Sequence, residues 1–254
     1  MRCWRRGVLA VCLYGSVALV HAGEVSVAVA ANFTVAMQKI AQAFSQDTGH
    51  TAAVSVGSTG KLYAQIKNGA PFHVLLAADD ETPAKLVDEG WGQTGSVFTY
   101  ATGRLALWSK QAGVVDDQGR VLQGPLSHQP HVKLALADPR LAPYGAAAVQ
   151  TLTQLGVWPR WQSHVVQGDN IGQAFQFVAT QNALLGFVAL SQVWADGRVS
   201  QGSAWVVPQQ LHAPLRQDAV LLVTGKNQPA ALALMAYLKG ERAKAIIRAY
   251  GYAV

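Results

Sequence analysis

The chain has little cysteine and no long apolar run beyond its first residues. Only two of its 254 residues are cysteine, Cys3 and Cys12, and both lie in an N-terminal segment that we expect to be removed. The mature chain would then have no thiol, which excludes disulfides and thiolate metal sites. Its stability must come from packing, and about 230 residues are enough for one large domain or two small ones.

The N-terminal segment has the pattern of a secretory signal peptide. Arg2, Arg5 and Arg6 precede an uncharged, mostly apolar run over 7–20 that ends near small residues. This run is too short to cross a bilayer as a stable helix, and no later run reaches about 18 uninterrupted apolar residues. We therefore assign residues 1–22 to a signal peptide and expect a periplasmic protein.

Charge is also sparse. The chain has 20 lysines and arginines against 14 aspartates and glutamates, a net charge of +6, and removal of the three N-terminal arginines leaves 17 against 14, or +3. The remaining basic residues are scattered, which does not fit a nucleic-acid footprint, so we expect no nucleic-acid partner. A weak positive field favours the approach of an anion, as a rate effect that salt screens.

Short apolar strands alternate with helical patterns along the mature chain, which predicts an α/β fold with mainly parallel sheets flanked by helices. Val25, Val27 and Val29 alternate as in a strand, and the apolar residues after Phe33 recur at helical spacing. The other predicted strands are 52–56, 74–77, 105–108, 132–137, 185–188, 204–207 and 219–223, and the later predicted helices are 62–66, 83–89, 146–155, 171–179 and 229–250.

The order of these elements predicts two lobes with a ligand cleft between them. Residues 23–101 and 216–254 form a discontinuous lobe 1, and residues 102–215 form lobe 2, so the chain crosses twice. Residues 118–130, rich in Gly, Gln and Pro, are predicted to be a surface loop. No internal sequence repeat is present. Two α/β lobes around a cleft commonly capture a ligand by hinge closure.

Four turns that precede predicted helices have small or amide side chains where charged ones are common. They are Ala30-Ala31-Asn32, Gly57-Ser58-Thr59-Gly60, Pro143-Tyr144-Gly145 and Gly168-Asp169-Asn170-Ile171. The unpaired N–H groups and the dipole at a helix start bind anions without lysine or arginine. Each turn alone is an ordinary helix cap. Together, two in each predicted lobe, they indicate a shared anion site.

Other functions fit the residues less well. A nucleotide P-loop would need glycine at Ser55 and Ser or Thr at Leu62, so we interpret Lys61 as a solvated helix residue. A secreted hydrolase is the enzyme alternative, but no Gly-x-Ser-x-Gly elbow is present. His128 and His131 lack the helical context of a zinc site. We expect a protein that is not an enzyme and has no cofactor and no direct metal ligand.

Several segments resemble the periplasmic molybdate-binding proteins that supply ABC importers. The segments are Ala30-Ala31-Asn32-Phe33, Gly57 to Ile66 with Asn68 to Phe72, Ala137-Asp138-Pro139 with Pro143-Tyr144-Gly145, and Leu185-Gly186-Phe187-Val188. The resemblance spans the mature chain. It implies a type II periplasmic binding protein fold, capture of molybdate or tungstate, delivery to an inner-membrane permease of an ABC importer, and a monomer. A cytoplasmic regulator with a similar core is disfavoured by the signal peptide and by the lack of a DNA-binding segment.

Carried over position by position, the resemblance implies a set of ligand contacts. They are Ala31, Asn32, Ser58, Thr59, Tyr144 and Ile171. The side chains of Asn32 and Thr59 are expected to donate, and Tyr144 and Ile171 are expected to contribute backbone N–H groups. Some members have a tyrosine where this chain has Ala189, which cannot supply a phenol. His73 replaces the family's usual aspartate and is interpreted as structural.

The chemistry of these contacts favours a fully deprotonated oxyanion, which has only acceptors and needs only donors. Monoprotonated phosphate also carries a donor and needs an acceptor. The nearest carboxylate is Asp169, which we interpret as a helix cap. Sulfate offers the same hydrogen bonding as molybdate, so sulfate and phosphate remain the alternative ligands.

Overall fold

The computed structural model describes residues 22–195 and 197–254, so the predicted signal peptide lies, except for Ala22, outside the described residues. Twelve strands and eight α-helices are present in that part of the chain. The strands are β1 Glu24–Ala30, β2 Thr51–Gly57, β3 Val74–Leu76, β4 Phe98–Gly103, β5 Leu105–Ser109, β6 Leu134–Ala137, β7 Val165–Gly168, β8 Leu185–Ala189, β9 Trp194–Ala195, β10 Arg198–Val199, β11 Ser203–Val206 and β12 Leu215–Leu221. The helices are α1 Thr34–Thr48, α2 Thr59–Lys67, α3 Glu81–Asp88, α4 Pro143–Gln154, α5 Trp158–Trp161, α6 Ile171–Ala179, α7 Pro229–Leu238 and α8 Glu241–Ala249.

Two five-stranded sheets form the two lobes, and they repeat one strand pattern. The first sheet has the order β2-β1-β3-β12-β4 and the second has the order β7-β6-β8-β5-β11. In each sheet the first three strands are parallel and the last two are joined by antiparallel pairings. Ligands bind at the carboxyl ends of parallel strands in such sheets. Each lobe therefore has an equivalent sheet edge, formed by the carboxyl ends of its parallel strands, at which a ligand can bind.

Apolar side chains on both faces hold the first sheet between its helices. Val25, Val27 and Val29 pack on one face with α1, α7 and α8, while Ala28 packs on the other face with Leu62 of α2. The second lobe has one contiguous core that includes the interior of β5, β6 and β8. Packing on both faces explains why the central strands are almost uniformly apolar.

The chain passes between the sheets twice. It leaves β4 at Gly103 and enters β5 at Leu105, and it returns between Val206 of β11 and Leu215 of β12. Gly103 and Leu215, at the predicted lobe boundaries, both lie in strands of the first sheet. No helix in the described part of the chain is long and apolar enough to span a membrane.

The two-lobed α/β fold is confirmed, with three differences in detail. The sheets are mixed, since half of the pairings in each are antiparallel. Strands β4, β7, β9 and β10 were not predicted. Residues 118–130 do not form a simple surface loop, because they contain two short 3-10 helices and Leu122 is fully buried. The indole N–H of Trp161 donates to the Leu122 carbonyl at 2.8 Å and anchors this segment.

Gly103 lies against the inter-lobe contacts and leaves no room for a methyl group. A Cβ at this position would overlap the Tyr144 hydroxyl and the Gln217 amide nitrogen. We expect Gly103→Ala to lower the free energy of unfolding by about 1–3 kcal/mol, because overpacking a filled core costs that much. Urea unfolding of the mature protein measures the change.

The matched control is Gly124→Ala, where the nearest atom to a new Cβ is 3.5 Å away. It should unfold like the wild type. Equal stability of the two variants would contradict the close approach at Gly103.

Candidate functional site

Four turns meet in one small cavity between the lobes. They follow β1, β2, β6 and β7, and they lead into a 3-10 helix at Ala31–Phe33 and into α2, α4 and α6. All six residues expected to contact a ligand line this cavity, and each is less than 9% exposed: Ala31, Asn32, Ser58, Thr59, Tyr144 and Ile171. The other lining residues are Ala30, Gly57, Ala78, Ala142, Pro143 and Asn170, so no lining residue is charged.

The cavity suits a small ligand. The space between its lining residues, including its open mouth, is about 200 Å³. The site therefore favours a ligand of few atoms that is recognised by backbone and hydroxyl groups.

Ser58 carries the clearest sign of a missing partner. It precedes α2 in an extended conformation, and its hydroxyl does not cap the helix. The Oγ atom is buried without a hydrogen-bond partner among the described residues, and the backbone N–H also makes no bond with them. A buried unpaired polar group costs about 1–3 kcal/mol. A ligand that accepts hydrogen bonds here would remove this cost.

Thr59 retains a free donor. Its Oγ1 accepts a hydrogen bond from the Ala78 N–H at 3.0 Å, which fixes the hydroxyl at the cavity wall. A hydroxyl that accepts one bond can still donate its own hydrogen. Thr59 can therefore donate to an acceptor in the cavity, as expected from the sequence.

Asn32 differs from the expected arrangement. Its amide Nδ2 donates to Gln217 Oε1 at 2.8 Å and to the Tyr252 hydroxyl at 3.1 Å, both inside the protein. The prediction that this side chain donates to the ligand is not met by this geometry. The groups that Ala31 and Asn32 can still present are their backbone N–H groups, which begin a 3-10 helix and have no intrahelical acceptor.

Tyr144 presents its backbone and turns its phenol away. Pro143 and Tyr144 begin α4, so the Tyr144 N–H has no intrahelical acceptor. The phenol oxygen accepts a hydrogen bond from Gln217 Nε2 at 3.0 Å. Burial raises the pKa of Tyr144 well above its usual value, so the phenol stays neutral at physiological pH. This position supports the expected backbone contact.

The fourth turn is capped by Asn170, and Asp169 has a different role. Asn170 Oδ1 accepts from the N–H groups of Gly172 at 2.9 Å and Gln173 at 3.1 Å, which leaves the Ile171 N–H for the cavity. The interpretation of Asp169 as the cap is wrong. Its carboxylate forms an ion pair with Lys61 at 2.7 Å, so Lys61 is not simply a solvated residue either.

The two lobes are in direct contact around the cavity. The Gly60 N–H donates to the Leu141 carbonyl at 2.9 Å, and the Ser191 hydroxyl donates to the Asn32 carbonyl at 3.0 Å. The Lys61–Asp169 pair also joins the lobes. Such contacts are typical of a closed state of two lobes that hinge around a ligand.

The remaining candidates from the sequence lie elsewhere. His73 Nδ1 accepts from the Ser26 N–H at 3.1 Å, in agreement with a structural role. Ala189 is fully buried and does not line the cavity. In the described ranges no cluster of three or more His, Cys, Asp or Glu residues could hold a metal ion, and His128 and His131 belong to none.

The comparisons with known proteins agree with this fold. The family of bacterial extracellular solute-binding proteins matches residues 25–253, so the chain belongs to that family. Membership of a family of binding proteins confirms the prediction that the chain is not an enzyme.

Named relatives define a narrower group. The chain is 57% identical to the molybdate-binding protein ModA of Azotobacter vinelandii over 91% of this chain and 90% of that protein. It is 48% identical to ModA of Rhodobacter capsulatus over 98% of this chain and 96% of that protein. The solved periplasmic molybdate-binding protein of Azotobacter vinelandii superposes with a TM-score of 0.86 and 40% identity over 91% of this chain and 99% of that one. The predicted resemblance to this group is confirmed. The names of the relatives give molybdate as a bound ligand and indicate no cofactor.

Asp138 shapes the turn that leads to Tyr144, and its contribution to stability should depend on pH. Its carboxylate accepts from the Arg140 backbone at 2.9 Å and from the Arg140 guanidinium at 2.8 Å. These bonds to Arg140 hold the pKa of Asp138 below its usual value. The stabilisation is therefore present above pH about 4, the unfolded value, and is lost as pH falls through the folded pKa.

We expect Asp138→Asn to lower the free energy of unfolding at neutral pH by about 0.5–1.5 kcal/mol, since Arg140 is largely exposed. The difference from the wild type should shrink when urea unfolding is repeated below pH about 3. A difference that stays constant across this range would contradict the assignment to the ionised carboxylate.

Proposed function

We propose that this protein captures molybdate, and tungstate with it, in the periplasm and delivers it to the permease of an ABC importer. The single observation that carries the proposal is the buried, unpartnered hydroxyl of Ser58 in an uncharged cavity at helix starts. The family and the names of the relatives support the choice of ligand and compartment. The predicted signal peptide supports export, and the protein is expected to act as a monomer.

Neutral donors from both lobes would hold the anion. The first lobe offers the backbone N–H groups of Ala31, Asn32, Ser58 and Thr59 and the hydroxyls of Ser58 and Thr59, and the second offers the N–H groups of Tyr144 and Ile171. Preorganised backbone donors at helix starts stabilise negative charge without an ion pair. Because both lobes contribute donors, the complete cage exists only when the lobes are closed.

The same arrangement disfavours a protonated oxyanion. The O–H group of monoprotonated phosphate would need a hydrogen-bond acceptor in the wall of the cavity. The nearest carboxylate, Asp169, is paired with Lys61 and is not among the residues that line the cavity. An unmatched donor in a dry site costs about 1–3 kcal/mol. Selection against phosphate thus follows from the absence of a facing carboxylate among the described residues of the cavity.

The test of the proposal is the removal of the Ser58 hydroxyl. We expect Ser58→Ala to bind molybdate about 10- to 100-fold more weakly, because a hydrogen bond to a charged group contributes about 1.5–3 kcal/mol. Unfolding of the ligand-free variant should require at least as much urea as the wild type, because the substitution removes an unpaired buried polar atom. Isothermal titration calorimetry measures the affinity.

Ser55→Ala is the matched control, since Ser55 is exposed on β2 three positions earlier. It should bind molybdate with wild-type affinity. Wild-type affinity in Ser58→Ala itself would remove this hydroxyl from the ligand site.

The Lys61–Asp169 pair provides a second test. Substitution of Lys61 distinguishes a residue that only joins the lobes from one that contacts the anion directly. Both side chains are about half exposed, at 43% and 58%. Exposed pairs contribute about 0.2–1 kcal/mol, so we expect Lys61→Met to weaken molybdate binding by about 5-fold at most, and less at high salt.

Lys67→Met is its control, since Lys67 lies on the same helix and pairs with Glu89 away from the cavity. A loss in Lys61→Met as large as that in Ser58→Ala would mean that Lys61 contacts the anion directly.

A further inference from the structure

The carbonyl of Asn32 accepts hydrogen bonds from both lobes. The Tyr252 hydroxyl lies 2.7 Å from this oxygen, and the Ser191 hydroxyl lies 3.0 Å from it. The two hydroxyls are 2.9 Å apart. All three residues are buried. The cluster is therefore a closed set of hydrogen bonds directly behind the first ligand loop.

Tyr252 is held firmly within the first lobe. The adjacent Ala253 exchanges two backbone hydrogen bonds with Thr102 of β4, at 2.8 and 3.1 Å. The Tyr252 ring packs edge-on against Phe33, with ring centroids 5.4 Å apart. Its hydroxyl also accepts from Asn32 Nδ2. Tyr252 thus contacts the Asn32 loop through groups of the same lobe, independently of lobe closure.

Ser191 reaches the same oxygen from the second lobe. It lies in the 3-10 helix Leu190–Gln192 that follows β8. Its bond to Asn32 joins residues 159 positions apart and can form only when the lobes are close. Neither Ser191 nor Tyr252 lines the ligand cavity, so both act on a ligand through Asn32.

We propose that Tyr252 and Ser191 are positioning residues for the anion site: Tyr252 holds the Asn32 carbonyl in the ligand-free protein, and Ser191 adds a second bond to it on closure. The Asn32 carbonyl belongs to the Asn32–Phe33 peptide plane. Holding this carbonyl and the Asn32 side chain together limits rotation of the short preceding segment, which carries the Ala31 and Asn32 N–H groups. Holding donors in place before binding reduces the cost of ordering them. For its ligand the inference rests on the proposed capture of molybdate.

The two residues should differ in their effect on kinetics. Ser191→Ala removes a bond of the closed state only, so we expect the dissociation rate of molybdate to rise about 3- to 10-fold with an unchanged association rate. The thermal midpoint of the ligand-free protein should not change. A role in general stability would instead lower that midpoint. Stopped-flow measurement of both rates, with thermal unfolding, distinguishes the two outcomes.

Tyr252→Phe should act before the ligand arrives. Hydrogen exchange of the backbone amides over residues 30–34 should be faster in the ligand-free variant than in the wild type, and exchange in Ser191→Ala should stay at the wild-type rate. The double variant should show less than the summed loss of molybdate affinity, because both hydroxyls bind the same oxygen.

Each variant has a matched control. Tyr237→Phe removes a hydroxyl that donates to Asp47 at 2.7 Å on the outer surface of the first lobe. Ser200→Ala removes one that donates to the Val193 carbonyl at 3.1 Å in the second lobe. Both controls should have wild-type exchange over residues 30–34 and wild-type molybdate kinetics.

The exchange experiment also separates this inference from the proposed function, since it needs no ligand. Faster exchange in Tyr252→Phe with no molybdate binding by the wild type would overturn the proposed ligand and retain the positioning role of Tyr252. Wild-type exchange in Tyr252→Phe, or a wild-type dissociation rate in Ser191→Ala when the wild type binds molybdate, would overturn the inference.

Discussion

The constraint on which the structure depends is the desolvation of an anion without a counter-charge. An oxyanion that leaves water must have its acceptors matched by donors, or it does not bind. The candidate site contains no charged lining residue, so helix starts and hydroxyls must supply these donors. The Ser58 hydroxyl has no hydrogen-bond partner among the described residues, and the first N–H groups of the helices have no intrahelical acceptor. An anion that accepts hydrogen bonds from these groups would therefore stabilise the protein.

The repeated strand order of the two sheets explains how donors from distant segments meet. Each sheet directs the carboxyl ends of three parallel strands toward the same cleft, and each provides two of the four turns. Behind the turns, side chains fix the backbone: the buried Gln217 contacts Asn32 and Tyr144, and the half-buried Gln192 donates to the Ile171 carbonyl at 3.2 Å. The geometry of the site therefore depends on lobe closure, because each lobe provides two of the four turns.

Local patterns were sufficient to predict much of this arrangement. Apolar periodicity located most strands and helices, and the four uncharged turns contain the six contact residues that the family resemblance implied, all of which line the cavity. β4 was missed because its short sequence becomes a strand only by pairing with β12, more than a hundred positions later. Tyr252 and Gln217 were missed for the same reason, since they contact Asn32 across 220 and 185 positions. The direction of the Asn32 amide and the Lys61–Asp169 pair also depend on such distant contacts.

We propose that a cage of neutral donors selects a fully deprotonated tetrahedral anion. The most direct measurement is calorimetric titration of the purified mature protein with molybdate, tungstate, sulfate and phosphate in one buffer. We expect tight binding of molybdate and tungstate, and much weaker binding of sulfate and of monoprotonated phosphate. Binding of phosphate alone would contradict this proposal, because a site that prefers the protonated anion would need an acceptor such as a carboxylate, and no carboxylate lines the cavity.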